Sequence, residues 1–253
     1  MKMTYMKWLA NMSEGKPNTY INKEEQCPFC DRETLRKEGR IIDETEHFMI
    51  VKNKFPVLDN TFSTIIVEHP TCGEHIGTYS IDYLTKLLEY SLNYYDELQY
   101  SGQYTSIVFF KNHGLMAAGS IKHPHMQIMG FKNKTFHDNL QKSDFEGIPI
   151  LSDQTVEWNV STKPRSEFYE INIILHDKER LDVFAGCLQK TVNYTLEVLN
   201  PKYKSYNLAF YIKEKSLKVK VIPRQPSTIL LLGYGIHQIP DNLEDIARQL
   251  KEY

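Results

Sequence analysis

The sequence has no apolar run near the eighteen or so residues that a membrane-spanning helix needs. It also lacks a dominant charge, with 32 acidic side chains against 30 basic ones and a net charge of −2 over 253 residues. A dedicated nucleic-acid binder usually carries a basic excess or stripe, so neither nucleic acid nor membrane is an expected partner. The start, MKMTYMKWLANMSEGKPN, has no long apolar stretch and no small-residue cleavage site, which argues against a secretory signal. Cysteine is scarce. Cys27, Cys30, Cys72 and Cys187 are too few for a disulfide framework in a chain this long. The expected setting is the cytoplasm, with thiols reduced and free to bind metal.

What is present points to well-filled cores: 41% hydrophobic, 25% charged and 12% aromatic residues. The length suits one large domain or two fused small ones. Residues 1–26 are polar and read as an extended leader. Residues 47–51 and 62–67 are short, β-branched runs bounded by turn residues, and they predict strands. Between Ile81 and Gln99, Leu84, Leu87, Leu88, Leu92 and Tyr95 recur at helical spacing, with Ser80 placed as an N-cap. Strands are predicted over 105–111 and from about His123 to Phe131. The second half repeats this order: a strand over 170–175, a helix over 180–199 ended by Asn200-Pro201, and strands over 206–212 and 217–222. A polar connector is expected over 132–163, and a last helix over 242–253. The pattern predicts a duplicated α+β chain, divided into 1–145 and 146–253.

Chemistry concentrates in Asn112-His113-Gly114-Leu115-Met116-Ala117-Ala118-Gly119-Ser120-Ile121-Lys122-His123-Pro124-His125-Met126-Gln127. On a strand, His123, His125 and Gln127 share one face while Pro124, Met126 and Ile128 share the other. A neutral imidazole is a good nucleophile that can take and pass on a phosphoryl or nucleotidyl group. The small residues from Gly114 to Ser120 would let backbone amides approach a phosphate, with the Ser120 hydroxyl as a further donor. The plain alternative is a pair of solvent-facing strand histidines; Gln127 and the small-residue loop weigh against it. Cys27-Pro28-Phe29-Cys30 is half a zinc site or a redox pair. For zinc, the remaining ligands would come from His69, Cys72, His75 and one member of the His-Pro-His pair. His47, His137, His176 and His237 are isolated, and Cys187 falls on the apolar face of a predicted helix.

Taken together, CPFC, the NKFP of Asn53–Pro56 and NHGxxxxGSxxHPHxQ resemble galactose-1-phosphate uridylyltransferase of the histidine-triad superfamily. The likeness covers residues 20–130 well and the second half in outline. It implies tandem histidine-triad-like units, an antiparallel sheet with packed helices, and a degenerate second unit. His125 matches the nucleophile that attacks the α-phosphorus of a UDP-sugar. His123, Cys27 and Cys30 match ligands of a structural zinc whose fourth ligand falls at His75, with Cys72 or His69 as substitutes. Ser120 and Gln127 match phosphate-holding groups, Asn112 one near the ribose and phosphate, and Asn53 one in the nucleoside pocket; Gly114 and Gly119 belong to the nucleotide loop. A phosphorylated small-molecule acceptor and a homodimer are implied as well.

Hydrolase branches of the superfamily carry a third histidine where Gln127 stands. The family's second half carries an HxHxE-like run ending in Pro-Arg, whereas Ser216 to Arg224 here holds no histidine, so no second metal or catalytic centre is expected. A sugar-reading Lys and Glu are replaced around Gly233-Tyr234-Gly235, and Lys54 stands where some members have an acid, which removes the basis for hexose or uridine specificity. The competing functions are a silent nucleotide-binding or zinc-stabilised interaction protein, a dinucleoside polyphosphate phosphorylase or hydrolase, and, more distantly, a CxxC redox protein.

Overall fold

The structure, a computed structural model, describes residues 5–22, 26–166, 168–213 and 216–253. The chain forms two compact units. The first gathers residues 1–75, 89–111 and 120–139; the second gathers 76–88, 112–119 and 140–253. The fold is α+β, with antiparallel strands and packed helices in both.

In the first part of the chain the helical elements are α1 (Ala10–Ser13), α2 (Arg32–Lys37) and α3 (Ile81–Tyr100). The strands are β1 (Ile41–Glu44), β2 (Met49–Lys52), β3 (Thr61–Val67), β4 (Ser106–His113) and β5 (His125–Phe131), in the spatial order β1-β2-β3-β5-β4. Ser80 caps α3 as expected, its hydroxyl accepting from the Tyr83 amide at 3.1 Å. The β3–β5 register sets Val67 opposite His125 and Ile65 opposite Gln127. Cross-strand partners share a face, so the His125 face of the sheet also carries Val67 and Ile65. That face is covered locally: Phe29 and Leu35, from the CPFC turn and α2, pack with Met49, Val51, Ile65, Val67 and Ile121 in one apolar cluster. The cysteine turn is therefore part of the core and rests on the strand that carries His125.

The leader departs from expectation. Residues 1–4 and 23–25 lie outside the described residues, but the rest is not an extended tail. Trp8 bridges Leu58, α1 follows, and the buried Thr19 donates its amide to the Ser120 carbonyl at 2.8 Å while its hydroxyl accepts from the Lys122 amide at 2.8 Å. Polar residues there serve as hydrogen-bonding anchors, which composition alone does not reveal.

In the second unit the strands are β6 (Gly147–Ser152), β7 (Val156–Ser161), β8 (Ile171–Leu175), β9 (Tyr206–Lys213) and β10 (Ser216–Pro223), ordered β9-β10-β8-β7-β6. The helices are α4 (Leu181–Tyr194), whose last turn widens into a π-helix over Thr195–Leu199, α5 (Ile229–Tyr234) and α6 (Leu243–Glu252). The expected connector over 132–163 is corrected: it contains the β6–β7 hairpin. Within it Asn159 is buried but satisfied, donating to the Phe145 carbonyl at 3.0 Å and accepting from Asn172 at 2.8 Å. The repeat is consequently fuller than strand, helix, strand, strand. The order β1-β2-β3-α3-β4-β5 recurs as β6-β7-β8-α4-β9-β10, with the same strand adjacencies.

Candidate active site and metal centre

The CPFC turn is closed by the Cys30 amide donating to the Cys27 carbonyl at 3.3 Å, and Asp31 then caps α2 through the Thr34 amide at 2.9 Å. A second turn brings in Cys72, followed by Gly73 at φ +100°, a backbone conformation that only glycine adopts without strain. His123 completes the group. Its Nε2–H donates to the His69 carbonyl at 2.7 Å, which points Nδ1 at the sulfurs. Nδ1 lies 3.4 Å from Cys27 Sγ, 3.4 Å from Cys30 Sγ and 3.3 Å from Cys72 Sγ, and the Cys30 and Cys72 sulfurs are 3.4 Å apart.

These donors fit a tetrahedral metal. Ligand distances of about 2.3 Å for sulfur and 2.0–2.1 Å for nitrogen give tetrahedron edges of roughly 3.5–3.8 Å, close to the separations found, and all four donor atoms lie within 4.8 Å of one another. Burial pushes the Cys27 and Cys72 thiols up, and the neighbouring thiols push Cys72 further. Ionised together, these thiols need a cation among them. Burial also holds His123 down to about 4, so it is a neutral ligand at ordinary pH. Three sulfurs and one imidazole close the coordination, as in structural sites. Among the described residues no other group of three or more His, Cys, Asp or Glu donors is gathered.

The fourth position expected at His75 is held here by Cys72, one of the named substitutes. His75 is half-buried, its pKa lowered first by burial and then by the charge of Lys111, and it stands outside the group. His69 contributes its carbonyl; its own ring accepts from the Thr71 amide at 3.2 Å.

The ring of Phe29 lies 5.8 Å from that of His123 and 5.4 Å from that of His125, so one CPFC side chain touches both histidines. His125 Nδ1–H donates to the His123 carbonyl at 2.8 Å. That bond fixes the tautomer and leaves Nε2 with the lone pair, to which nothing among the described residues bonds, on a ring that is itself buried. Burial, then the nearby Lys111 charge, depresses His125 to about 3, so the ring is an unprotonated imidazole. Beneath it lies a pair that sequence reasoning missed. Lys111 and Glu68, both buried, form an ion pair; Lys111 Nζ also donates to the His125 carbonyl at 3.1 Å, and the Glu68 amide donates to the Pro124 carbonyl at 3.1 Å. Glu68 precedes the His69–Cys72 turn, so this pair ties the metal-binding turn to the His125 strand. The only signal in the sequence is a charged residue closing each of two apolar strands.

The loop between β4 and β5 is tight. The amides of Ala117, Ala118 and Gly119 turn inward to the carbonyls of Gly114, Leu115 and Gly114, so they are not the phosphate donors that the small-residue run suggested. Gly114 sits at φ +84°, and a Cβ there would meet Ser205 Oγ at 2.2 Å; a Cβ on Gly119 would meet the Gly114 carbonyl at 2.9 Å. These glycines shape the loop. Among the described residues neither the amide nor the hydroxyl of Ser120 has a partner. Gln127 is half-buried on the His125 face. Asn112 Oδ1 accepts from Asn207 at 2.8 Å. Asn53 accepts from the Phe55 amide at 2.9 Å and donates to Ser63 Oγ at 3.2 Å, and Lys54 pairs with Glu38 at 2.8 Å. The isolated histidines have local partners: Phe48 for His47, Phe136 for His137, Glu157 for His176 and the Ser166 carbonyl for His237. Cys187 is buried in α4.

In the run where the resembled family has histidines, Lys220 is buried. Its Nζ donates to Glu170 at 2.8 Å and Asn172 at 2.9 Å. No helix among the described residues is long and apolar enough to cross a membrane.

Two family models match, described as the N-terminal and C-terminal domains of a domain of unknown function, DUF4931, over residues 8–134 and 137–253. No curated protein matches the chain. A crystal structure of a DUF4931 family protein from Bacillus cereus is 36% identical, covers 84% of this chain and 98% of its own, and superposes with a TM-score of 0.76. An ADP-glucose phosphorylase from Arabidopsis thaliana, solved with ADP-glucose, is 15% identical over 92% of this chain and 94% of its own, with a TM-score of 0.72. A uridylyltransferase structure is 15% identical over 90% of this chain and 91% of its own, with a TM-score of 0.70. The architecture of the uridylyltransferases thus extends over nearly the whole chain, and the chain itself belongs to the DUF4931 family.

Proposed function

We propose that the chain is a zinc-containing nucleotidyl-transferring enzyme acting through a covalent nucleotidyl-histidine at His125. The observation that carries this reading is the bond from His125 Nδ1–H to the His123 carbonyl at 2.8 Å, which presents Nε2 as the nucleophile on a fixed ring. In the first step the Nε2 lone pair forms a bond to the α-phosphorus of a nucleotide-sugar or related donor. The bond from that phosphorus to the bridging oxygen breaks, and a sugar phosphate leaves with the electron pair. In the second step an oxygen of a phosphate acceptor bonds to the same phosphorus, and the imidazole leaves unchanged. On this reading Ser120 and Gln127 hold the phosphates, and Asn53, Asn112, Gly114 and Gly119 belong to the nucleotide's surroundings. The metal is structural: Cys27, Cys30, Cys72 and His123 would hold it, fixing the cysteine turn beside His125.

The missing sugar-reading Lys and Glu favour a simple acceptor, inorganic phosphate or a small phosphorylated molecule, and an ADP-glucose phosphorylase shares the fold. We also read the chain as a homodimer, supported by the exposed apolar side chains of Ile229, Leu232, Tyr234 and Ile236. Intact-mass spectrometry after incubation with UDP-sugars, ADP-sugars and dinucleoside polyphosphates tests the activity. A covalent nucleotide adduct with one donor class, discharged by phosphate, is the expected result. Nucleotide binding without any adduct would leave the silent binding protein as the better description.

A further inference from the structure

The sheet of the first unit has a second face. Lys52 stands opposite Thr64 in the β2–β3 register, and Phe62 and Thr64 stand opposite Gly130 and Ile128 in the β3–β5 register. Cross-strand partners share a face and neighbours along a strand alternate. Lys52 and Phe62 therefore point away from the side that carries His125, Ile65 and Val67. α3 packs over this second face: Tyr94 is hydrogen-bonded to Thr64, and both Tyr94 and Leu98 are buried. A cleft of about 560 Å³ remains between those two residues of α3 and Ile42 and Lys52 at the β1–β2 edge, a size usual for small-molecule sites.

The lining of this cleft combines aromatic surface with charge of one sign. A Cβ on Gly130 would meet the Tyr104 ring at 2.5 Å, so that ring lies directly against the β5 backbone. It runs nearly parallel to the ring of Phe62, with 12° between the planes and 6.0 Å between the centres. Both rings line the cleft. Lys52 and Lys132 line it too, both exposed, and no Asp or Glu does. Lys54 and Lys111 of the same unit each pair with a carboxylate, whereas no carboxylate among the described residues pairs with Lys52 or Lys132. Two parallel rings suit a flat apolar body, and two uncompensated ammonium groups suit a negative charge carried on it.

We propose that this cleft binds a small aromatic anion, a flat ring system bearing an acidic group, with the rings against Tyr104 and Phe62 and the charge taken by Lys52 and Lys132. The sheet separates such a ligand from His125, so the site stands apart from nucleotidyl transfer and does not depend on it. The probes are 8-anilinonaphthalene-1-sulfonate and its uncharged counterpart N-phenyl-1-naphthylamine, followed by fluorescence. They are titrated into the full chain as wild type, the double variant Lys52→Met with Lys132→Met, Tyr104→Ala, His125→Ala and Leu232→Ser. The last changes an exposed apolar side chain of the second unit. Wild type is expected to bind one sulfonate per chain, more weakly as salt is raised. The double lysine variant is expected to melt as wild type, to bind the sulfonate roughly tenfold more weakly and to bind the uncharged probe unchanged. Tyr104→Ala is expected to weaken both probes, and His125→Ala and Leu232→Ser neither. Equal sulfonate affinity in wild type and the double lysine variant would overturn the proposal, as would a wild type that binds no sulfonate or a Tyr104→Ala variant that binds both probes as wild type. Loss of binding in His125→Ala or Leu232→Ser would overturn it too, by placing the probe in the nucleotide site or on the exposed apolar segment.

Discussion

In the first unit a phenylalanine turn ahead of the edge strand lies against two histidines; in the second, a phenylalanine turn in the same place lies against two lysines. Phe29 contacts His123 and His125, while Phe145 has Lys218 at 4.6 Å and Lys220 at 5.3 Å from its ring centre. The polar face of the repeat has been used in opposite ways. In the second unit the buried pair is enclosed by its own partners: Lys220 reaches Glu170 and Asn172, Asn172 reaches Asn159, and the Ser166 amide and hydroxyl satisfy the other Glu170 oxygen at 2.8 and 2.9 Å. A saturated buried pair fixes strand register and has nothing left for a ligand. In the first unit the buried ion pair, Lys111 with Glu68, joins β4 to the end of β3, where Lys111 holds the His125 carbonyl and leaves the imidazole ring outside the pair. The difference teaches that the two halves of a duplicated sheet can bury their ion pair on different strands, beside the His125 strand in one half and on the matching strand itself in the other.

That contrast can be broken most severely at the metal. Chelation, or Cys72→Ser, should lower the melting temperature by on the order of 10 °C, and Cys27→Ser should fall further than His125→Ala, read by calorimetry beside a metal analysis giving about one zinc per chain. Equal melting of the Cys27 and His125 variants would contradict a structural metal. The two ion pairs come next. Lys111→Met and Lys220→Met should each cost about 3–5 kcal/mol in urea unfolding, because each strands a buried carboxylate. Only the Lys111 variant should also slow adduct formation in the protein that remains folded; equal slowing by both would erase the distinction between the units. The mildest intervention is at the phosphate-holding groups. Gln127→Ala should slow adduct formation roughly 10–100-fold and Ser120→Ala by less, with melting unchanged. A fully active Gln127→Ala would remove that residue from the chemistry.

Much of this was legible in the residues. The 3.6-residue spacing of Leu84, Leu87, Leu88 and Leu92 marks α3, and the His-Pro-His-x-Gln run marks the start of β5. What escaped did so for physical reasons. β1, Ile41–Glu44, is a short edge strand with an exposed middle and shows no apolar alternation, whereas β7 alternates Val156, Trp158 and Val160 with Glu157, Asn159 and Ser161 but is only six residues long and sits inside a polar stretch. Three candidate metal ligands crowd into residues 69–75, and their spacing alone does not reveal that the Cys72 sulfur, not the His75 ring, meets Cys27 and Cys30. Glu68 and Lys111 read as strand ends because the sequence does not reveal that two charges 43 residues apart will be buried against each other. The leader looked like tail because its anchoring is by backbone and hydroxyl groups, which leave no hydrophobic trace.

The most direct trial of the account is peptide mapping of the covalent adduct under neutral conditions, on wild type and His125→Ala, after exposure to the donor that labels the intact chain. One nucleotidyl group per chain on the peptide containing His125, absent in the variant, is the expected result. A label that persists in His125→Ala, or that maps to a peptide of the second unit, would contradict it.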